Sequence, residues 1–385
     1  MNVLLVSPVA GRDIAGGDVS YTEALLAHPP DGVTYTTYPE ALAAGTLVER
    51  GRTPGSTPGR WTATDAGILA ARAVEHGLRR TGRLFREPYW YLTVDPDAFD
   101  LVHAHVFSVR LVDTHQPLVT GSGFPLPVLY EDRFHWPRPK VDRAARADRR
   151  LSRTAGAELW WAPPRRAART IVQSEHYKQW LVDAGADPAR VAVLPLGLDG
   201  AALEPRGGPP TTVGFVSYNF EGKGGPVVLR AFRELVAEHP EAKLLIVGSE
   251  PQPLDPALPP GSVEWHGRVS RAELFHDLLP RIDVMTLPTT CDSGPPYAVL
   301  EALQRGVPVV ASDLPWLGEV LVPPAGPRVP ADTAGVAGAL SQLFDPDHYR
   351  AASAAAVELF RSQFSMDVLS DRIGETYRAA VAAPR

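Results

Sequence analysis

The chain has 385 residues, 44% of them hydrophobic, which is more than one core of ordinary size takes up, so two domains are expected. A formal net charge of −6 removes any global electrostatic case for nucleic acid. The single cysteine, Cys291, excludes an internal disulfide framework, and neither a secretory leader nor an apolar run of membrane-spanning length is visible, so the expectation is a soluble, cytoplasmic protein.

In chain order, NVLLVSP at the start is a short continuous apolar run of the kind that forms a buried parallel strand. The polar stretch AGRDIAGGDVSYTEALLAH follows, a glycine loop feeding a helix that holds Val19, Leu25 and Leu26. Gly16 and Gly17 let the backbone approach a phosphate or sugar at the helix start, although a plain turn uses the same residues. The spacing from Gly11 to Gly16 and Gly17 is not that of the dinucleotide fingerprint. GRTPGSTPG at 51–59 reads as a loop, and residues 62–84 as a helix. PYWYL near residue 90 is either an aromatic cover for the core or the wall of an acceptor site. Asp95-Pro-Asp97 has the form of an Asp-x-Asp metal clamp, but it stands in a proline turn before a strand that starts at Phe99. Within that strand, FDLVHAHVFS, His103 and His105 fall two apart and share a face, with no carboxylate or third histidine near enough to complete a metal site.

PLVTGSGFP is the next strand, leaving through Gly121, Ser122 and Gly123 at the same sheet edge. Between Arg133 and Arg169 stand eleven Lys or Arg and three acids, Asp142, Asp148 and Glu158. Such a run is a solvated helix face, or else it meets an anionic acceptor or an anionic membrane surface, which attracts basic residues at about 1 kcal/mol each. Trp160 and Trp161 fit an interfacial anchor or a core equally well. RTIVQSEHYKQWLVDAGADPARVAVLPLGLD is strand, loop, helix, turn and strand, closing on Gly197, and EPRGGPP at 204–210 reads as an interdomain linker.

TVGFVSYNFEGKGGPVVLRAFREL opens the second domain with a strand, a polar glycine loop and a helix. Lys223 precedes Gly224 and Gly225, so its ammonium can neutralise a diphosphate near the helix start. KLLIVGSE is a buried strand with a glycine exit, and VEWHGRVSRAEL carries Arg268 and Val269 into another loop. From Ile282 the apolar residues Val284, Met285 and Leu287 form a strand, and TTCDSGPP a loop. Pro295 and Pro296 suit a helix's first position, YAVLEALQR is helical until Gly306, and VPVVAS is a further strand. Strand, helix, strand is a right-handed crossover unit, so the loop before the helix opens at the carboxyl edge of a parallel sheet, facing helix N–H groups and the positive end of the dipole. Glu301, one turn beyond Tyr297, is placed to accept hydrogen bonds from a ligand's hydroxyls; a solvated helix glutamate is the plain alternative. From Ala331 the sequence is Ala-rich helix, ending in FSMDVLSDRIGETYRAAV.

Glu301, Ala302, Leu303, Gly306, Val307, Pro308, Val309, Val310, Ala311, Gly318 and Glu319 stand in one register, and in it the stretch resembles the donor-site signature of family 4 retaining glycosyltransferases of the GT-B fold. Lys223-Gly224 matches the end of that family's diphosphate loop, the Gly16-Gly17 loop matches its amino-terminal glycine loop, and His105 matches a histidine that reaches the sugar. Three positions depart from the pattern. Ser293 stands where the first glutamate belongs, with Asp292 beside it; Ser217 or Tyr218 stands in place of the diphosphate arginine; Ser122 stands where many members carry a histidine.

The resemblance implies an α/β GT-B architecture, two doubly wound parallel-sheet (Rossmann-like) domains facing each other across a cleft. Residues 1–200 would form the acceptor-side domain, with a C-terminal helix at 365–385 packing back on it, and residues 201–364 the nucleotide-sugar donor domain. It implies catalytic roles for His105, Lys223 and Glu301, and donor contacts from Gly16, Gly17, Lys223, Gly224, Arg268, Val269, Asp292, Ser293, Gly294 and Glu301. Ser122 would lie on the acceptor side. The co-substrate would be a nucleoside diphosphate sugar, with no metal and no further cofactor, and the acceptor a small molecule, a glycan or a lipid-linked molecule. Nucleic acid is not an expected partner, and peripheral contact with the inner face of a membrane through residues 133–169 stands as the alternative to a solvated helix face there. The rival readings are a GT-B protein that binds sugar nucleotide as a weakly active or non-catalytic accessory subunit, and a sugar nucleotide epimerase on the same fold.

Overall fold

The computed structural model describes residues 1–9, 17–50, 63–123, 125–132, 134–290 and 296–383. Gly16, Asp292, Ser293 and Gly294, all expected to touch a donor, and the loop at 51–59 lie outside them. The chain divides into two compact units, Met1–Pro195 with Leu369–Arg385, and Leu196–Val368.

The first unit contains strands β1 (Asn2–Val6), β2 (Thr34–Thr37), β3 (Leu47–Glu49), β4 (Tyr89–Val94), β5 (Leu101–His105), β6 (Ser108–Leu111), β7 (Leu118–Ser122), β8 (Arg169–Val172) and β9 (Val191–Val193). Its helices are α1 (Gly17–Ala27), α2 (Tyr38–Ala44), α3 (Ala63–Arg80), α4 (Leu126–Asp132), α5 (Arg138–Ala155) and α6 (Glu175–Asp183). Six strands form a parallel sheet in the order β2-β1-β5-β7-β8-β9. Both faces of this sheet are covered, which is why β1 reads as an unbroken apolar run with Val3 to Val6 fully buried. The chain leaves β1 for β2 on one side and returns to β5 on the other, so the order reverses between β1 and β5. Strands β3, β4 and β6 form a second, smaller sheet.

The aromatic stretch in β4 is core: Tyr89 and Tyr91 are buried with Phe85, Tyr130, Trp160 and Trp161. Trp161 is only 1% exposed, which rules out an interfacial anchor at that pair. Asp95-Pro-Asp97 is a turn in which the Asp95 carboxylate accepts the Asp97 N–H at 2.9 Å. Among the described residues no group of three His, Cys, Asp or Glu is arranged to hold a metal, and no helix is long and apolar enough to cross a membrane.

The helix Met366–Val381 brings Tyr377 to the sheet of the first unit. Its hydroxyl lies 2.8 Å from Nδ1 of His103 and 3.0 Å from the Tyr35 hydroxyl, with His103 and Tyr377 buried and Tyr35 half-buried. Loss of water, with a smaller contribution from His105, pushes the His103 pKa down to about 3. The folded state therefore binds fewer protons than the unfolded chain between about pH 6.5 and pH 3, and stability falls as acid is added through that window. Replacing Tyr377 with Phe strands the buried Nδ1 and is expected to cost about 1–3 kcal/mol, read as a lower urea midpoint with an unchanged slope.

The second unit contains β10 (Thr212–Val216), β11 (Lys243–Val247), β12 (Val263–His266), β13 (Val284–Leu287), β14 (Val309–Ser312) and β15 (Arg328–Val329), with helices α7 (Gly225–Glu238), α8 (Arg271–Glu273), α9 (Tyr297–Gln304), α10 (Thr333–Leu343) and α11 (Pro346–Gln363). The sheet is parallel, in the order β12-β11-β10-β13-β14-β15, and reverses between β10 and β13. Residues 204–210, expected to be a linker, run along this unit. Arg206 is tied to the Asp283 carboxylate at 3.2 Å, and its N–H donates to Ser353 Oγ at 2.7 Å. The chain instead passes from the first unit to the second at Pro195 and Leu196.

Candidate active site

In open parallel sheets ligands bind beyond the carboxyl ends of the strands, where the order reverses. In the first unit that point brings the start of α1 to the end of β5. His105, the last residue of β5, is buried, and its Nε2 lies 3.1 Å from Oδ1 of Asp18. The Tyr21 ring packs on it with centroids 4.6 Å apart. The Asp18 side chain is 48% exposed, so one carboxylate meets both the histidine and solvent, one residue beyond the exposed Gly17. Gly121 faces His105 in register on β7, and a Cβ there would fall 2.5 Å from His105 Nδ1, so the glycine makes room for the ring. Ser122 ends β7 opposite Val172, and its side chain lies outside the described residues. Asp18 and Tyr21 escaped the sequence reading, although an acid directly after a Gly-Gly pair was there to see.

In the second unit three loops meet at the equivalent edge. The loop after β10 is folded on itself: Asn219 O accepts the Lys223 N–H and Asn219 Oδ1 the Gly222 N–H. Gly224 has φ +82°, and a Cβ on it would lie 2.3 Å from the Pro288 carbonyl oxygen, so this loop is seated against the exit of β13. Gly248, leaving β11 at φ +98°, also sits against the first loop: a Cβ on it would lie 2.9 Å from Ser217 O. From the fourth exit, after β12, the Arg268 guanidinium reaches over the exposed Tyr218 ring at 5.5 Å, while Val269 is half-buried. Lys223 is half-buried at the start of α7. The donors of that helix start are already used: Gly225 N–H goes to Phe220 O, Val227 and Val228 N–H go to Gly224 O, and Pro226 has none. The anion-attracting features here are thus the helix dipole and Lys223 rather than open N–H groups.

Glu301 on α9 is 6% exposed. Burial pushes its carboxyl up to about 7, against the pull of Arg271 and Arg305. Those two guanidiniums bracket Phe275 at 4.7 and 5.0 Å from the ring centre. The Tyr297 hydroxyl donates to Gly197 O at 2.9 Å, and Gln304 Nε2 to Asp199 O at 2.8 Å, which binds Gly197–Gly200 to α9. A pocket of about 590 Å³ lined by Asp199, Phe275, Gln304 and Arg305 lies on this flank.

Solved structures resemble the chain over nearly its whole length. Anabaena HepE, solved in complex with UDP and glucose, is similar with a TM-score of 0.62 at 15% identity, over 98% of this chain and 100% of that one. Sucrose-phosphate synthase of Thermosynechococcus elongatus gives 0.58 at 16% identity over the full length of both. The fold is GT-B. Within this GT-B chain, residues 210–346 match the family described as glycosyl transferases group 1. Those residues hold Lys223, Gly224, Arg268, Val269 and Glu301. Phosphatidyl-myo-inositol mannosyltransferase of Mycolicibacterium smegmatis is 31% identical over 232 residues, which is 55% of this chain and 58% of that protein. The matched region thus spans less than two thirds of that relative.

Proposed function

We propose that this GT-B protein is a retaining, metal-independent glycosyltransferase of the family 4 type that moves a sugar from a nucleoside diphosphate sugar to an acceptor. The observation that carries the reading is the convergence, at the reversal point of the second sheet, of the Lys223–Gly224 loop, the exit of β13 and the helix holding buried Glu301. This edge lies within the stretch that matches glycosyl transferases group 1. Glu301 accepts the ribose hydroxyls of the donor. Lys223 and the positive end of α7 stabilise the charge that develops on the leaving diphosphate, as preorganised positive sites do. The family arginine is absent from positions 217 and 218, and Arg268 on Tyr218 supplies a guanidinium to the same loop.

In the transfer step the bond from the anomeric carbon to the diphosphate breaks as the acceptor oxygen bonds to the same face, and the acceptor proton passes to the departing phosphate oxygen. No protein base is required. His105, oriented by Asp18, and Gly17 are assigned to the sugar, as are Asp292, Ser293 and Gly294. Ser122 is assigned to the acceptor, which is a small molecule, glycan or lipid-linked hydroxyl compound. The first donors to try are UDP-glucose, the ligand of a HepE complex, and a nucleoside diphosphate mannose, after the mannosyltransferase relative.

The test is thermal unfolding of the protein with UDP, GDP, dTDP, ADP and their common sugars, alongside Glu301→Ala. A ligand at a hundred times its Kd adds about 2.7 kcal/mol to the folded state. A shift confined to one base and lost in the variant supports the donor site and names its base. No shift with any nucleotide sinks it; a shift without transfer to any acceptor favours the accessory-subunit reading.

A further inference from the structure

Arg146, Arg149, Arg150 and Arg153 stand at i, i+3, i+4 and i+7 and so share one face of α5, on which all but the half-buried Arg149 are exposed. Arg146, Arg149, Arg150 and Arg153 of α5 gather with Arg165 around a pocket of about 390 Å³, whose floor includes Pro163 and Gly185. Topology fixes where it opens. Arg165 lies just ahead of β8, and Gly185 follows the end of α6, which runs back from the carboxyl end of β8. Both are therefore at the amino edge of the first sheet, the edge opposite His105. The strands between are some five residues long, about 17 Å.

The acids of the run do not neutralise this cluster. Asp148 is 1% exposed and turned to Arg79 and Tyr89. Glu158 is spent on the backbone N–H groups of Arg165 and Arg166, at 2.6 and 3.0 Å. Asp142 pairs with Arg138 at 3.4 Å. Among the described residues none of the five pocket guanidiniums has an ion pair; Arg149 and Arg165 donate only to main-chain carbonyls. Burial and the neighbouring Arg153 and Arg146 push the Arg149 pKa down, against a smaller opposing pull from Asp142.

We propose that this pocket is a second ligand site, remote from the transfer edge, that takes a phosphate-bearing group between convergent guanidiniums. Arginine forks bind phosphate oxygens in pairs, and five around one cavity suit a diphosphate or a phosphate ester better than a single carboxylate. The same chemistry is offered by a soluble phosphate ester and by the headgroup of an anionic phospholipid. The proposal does not depend on the donor assignment in the second unit.

The experiment is calorimetric titration of the full chain with inorganic pyrophosphate, and co-sedimentation with vesicles of phosphatidylglycerol or of phosphatidylcholine. The variants are Arg149→Ala with Arg153→Ala, Arg149→Lys, and Lys223→Ala, each checked by circular dichroism. Pyrophosphate binding that survives Lys223→Ala, weakens about tenfold or more in the double variant and weakens less with lysine supports the site with a soluble ligand. Sedimentation with phosphatidylglycerol but not phosphatidylcholine, lost in the folded double variant, supports it with a headgroup. If neither pyrophosphate nor phosphatidylglycerol binding responds to the arginine variants, the proposal is overturned.

Discussion

Glu301→Gln makes the protein more stable above pH 7 and at the same time weakens its hold on the donor. The carboxyl is buried and its pKa stands at about 7 rather than the ordinary 4.5, so the folded state keeps a proton that the unfolded chain has released. Stability therefore falls as pH rises from about 4.5 and levels off above 7. A rise of that size amounts to about 3 kcal/mol, which is the upper bound on what a neutral amide of the same shape restores at pH 8. At pH 5 variant and wild type converge, because Glu301 is then protonated in the fold. Donor affinity goes the other way. If the ionised carboxylate receives the donor's hydroxyls, wild-type Kd rises by up to about tenfold per pH unit as pH falls below 7, until it meets the weak binding of the variant, which lacks that dependence. Melting curves and donor titrations at pH 5 and pH 8 check both halves. A variant less stable than wild type at pH 8 contradicts the account of the buried carboxylate.

Gly224→Ala is expected to disable the donor loop through the backbone. At φ +82° an alanine carries about 1–2 kcal/mol of left-handed strain. Its methyl would also lie 2.3 Å from the Pro288 carbonyl oxygen and 2.8 Å from the Pro288 ring, neither of which can rotate away. Overpacking of this kind adds about 1–3 kcal/mol. The relief available is to part the β10 loop from the β13 exit, which carries Lys223 away from the edge. The expected outcome is a loss of about 2–5 kcal/mol in stability, from those two contributions, and a donor affinity lowered by at least tens of fold. Gly267→Ala is the control: a Cβ there meets nothing within 4 Å, so the change should stay within about 0.5 kcal/mol. Equal effects in the two variants, measured by denaturant titration and donor binding, would refute the seating of this loop.

What could be read from the residues alone was whatever period and punctuation encode. Strands such as Val3–Val6 and Val284–Leu287 announce themselves because burial on both faces demands unbroken apolar runs. Glu301 and Lys223–Gly224 were legible because glycines and a helix start bracket them. Contacts between distant segments were not. Asp18 meets His105 across 87 residues, and Arg206 reaches Asp283 across 77, so a Gly- and Pro-rich stretch that reads as a loose connector is in fact anchored. The Trp160-Trp161 pair could not be placed without knowing that Phe85 and Tyr130 close over it. The basic run reads as a single stripe because its charge is visible, whereas the inward turns of Asp148 and Glu158 that leave its arginines uncompensated are tertiary facts.

The bond between Tyr377 and His103 also sets a timetable for synthesis. The hydroxyl that satisfies the buried histidine is encoded 274 residues after it. At ribosomal speeds it emerges roughly fifteen to fifty seconds later. The second unit, contiguous from Leu196 to Val368, is made within that interval and is complete in sequence nine residues before Tyr377, when the first unit still lacks the helix that carries it. The usual order of domain maturation is thereby reversed: the half that starts the chain is the last to close, and until then its sheet is open to chaperones and proteases.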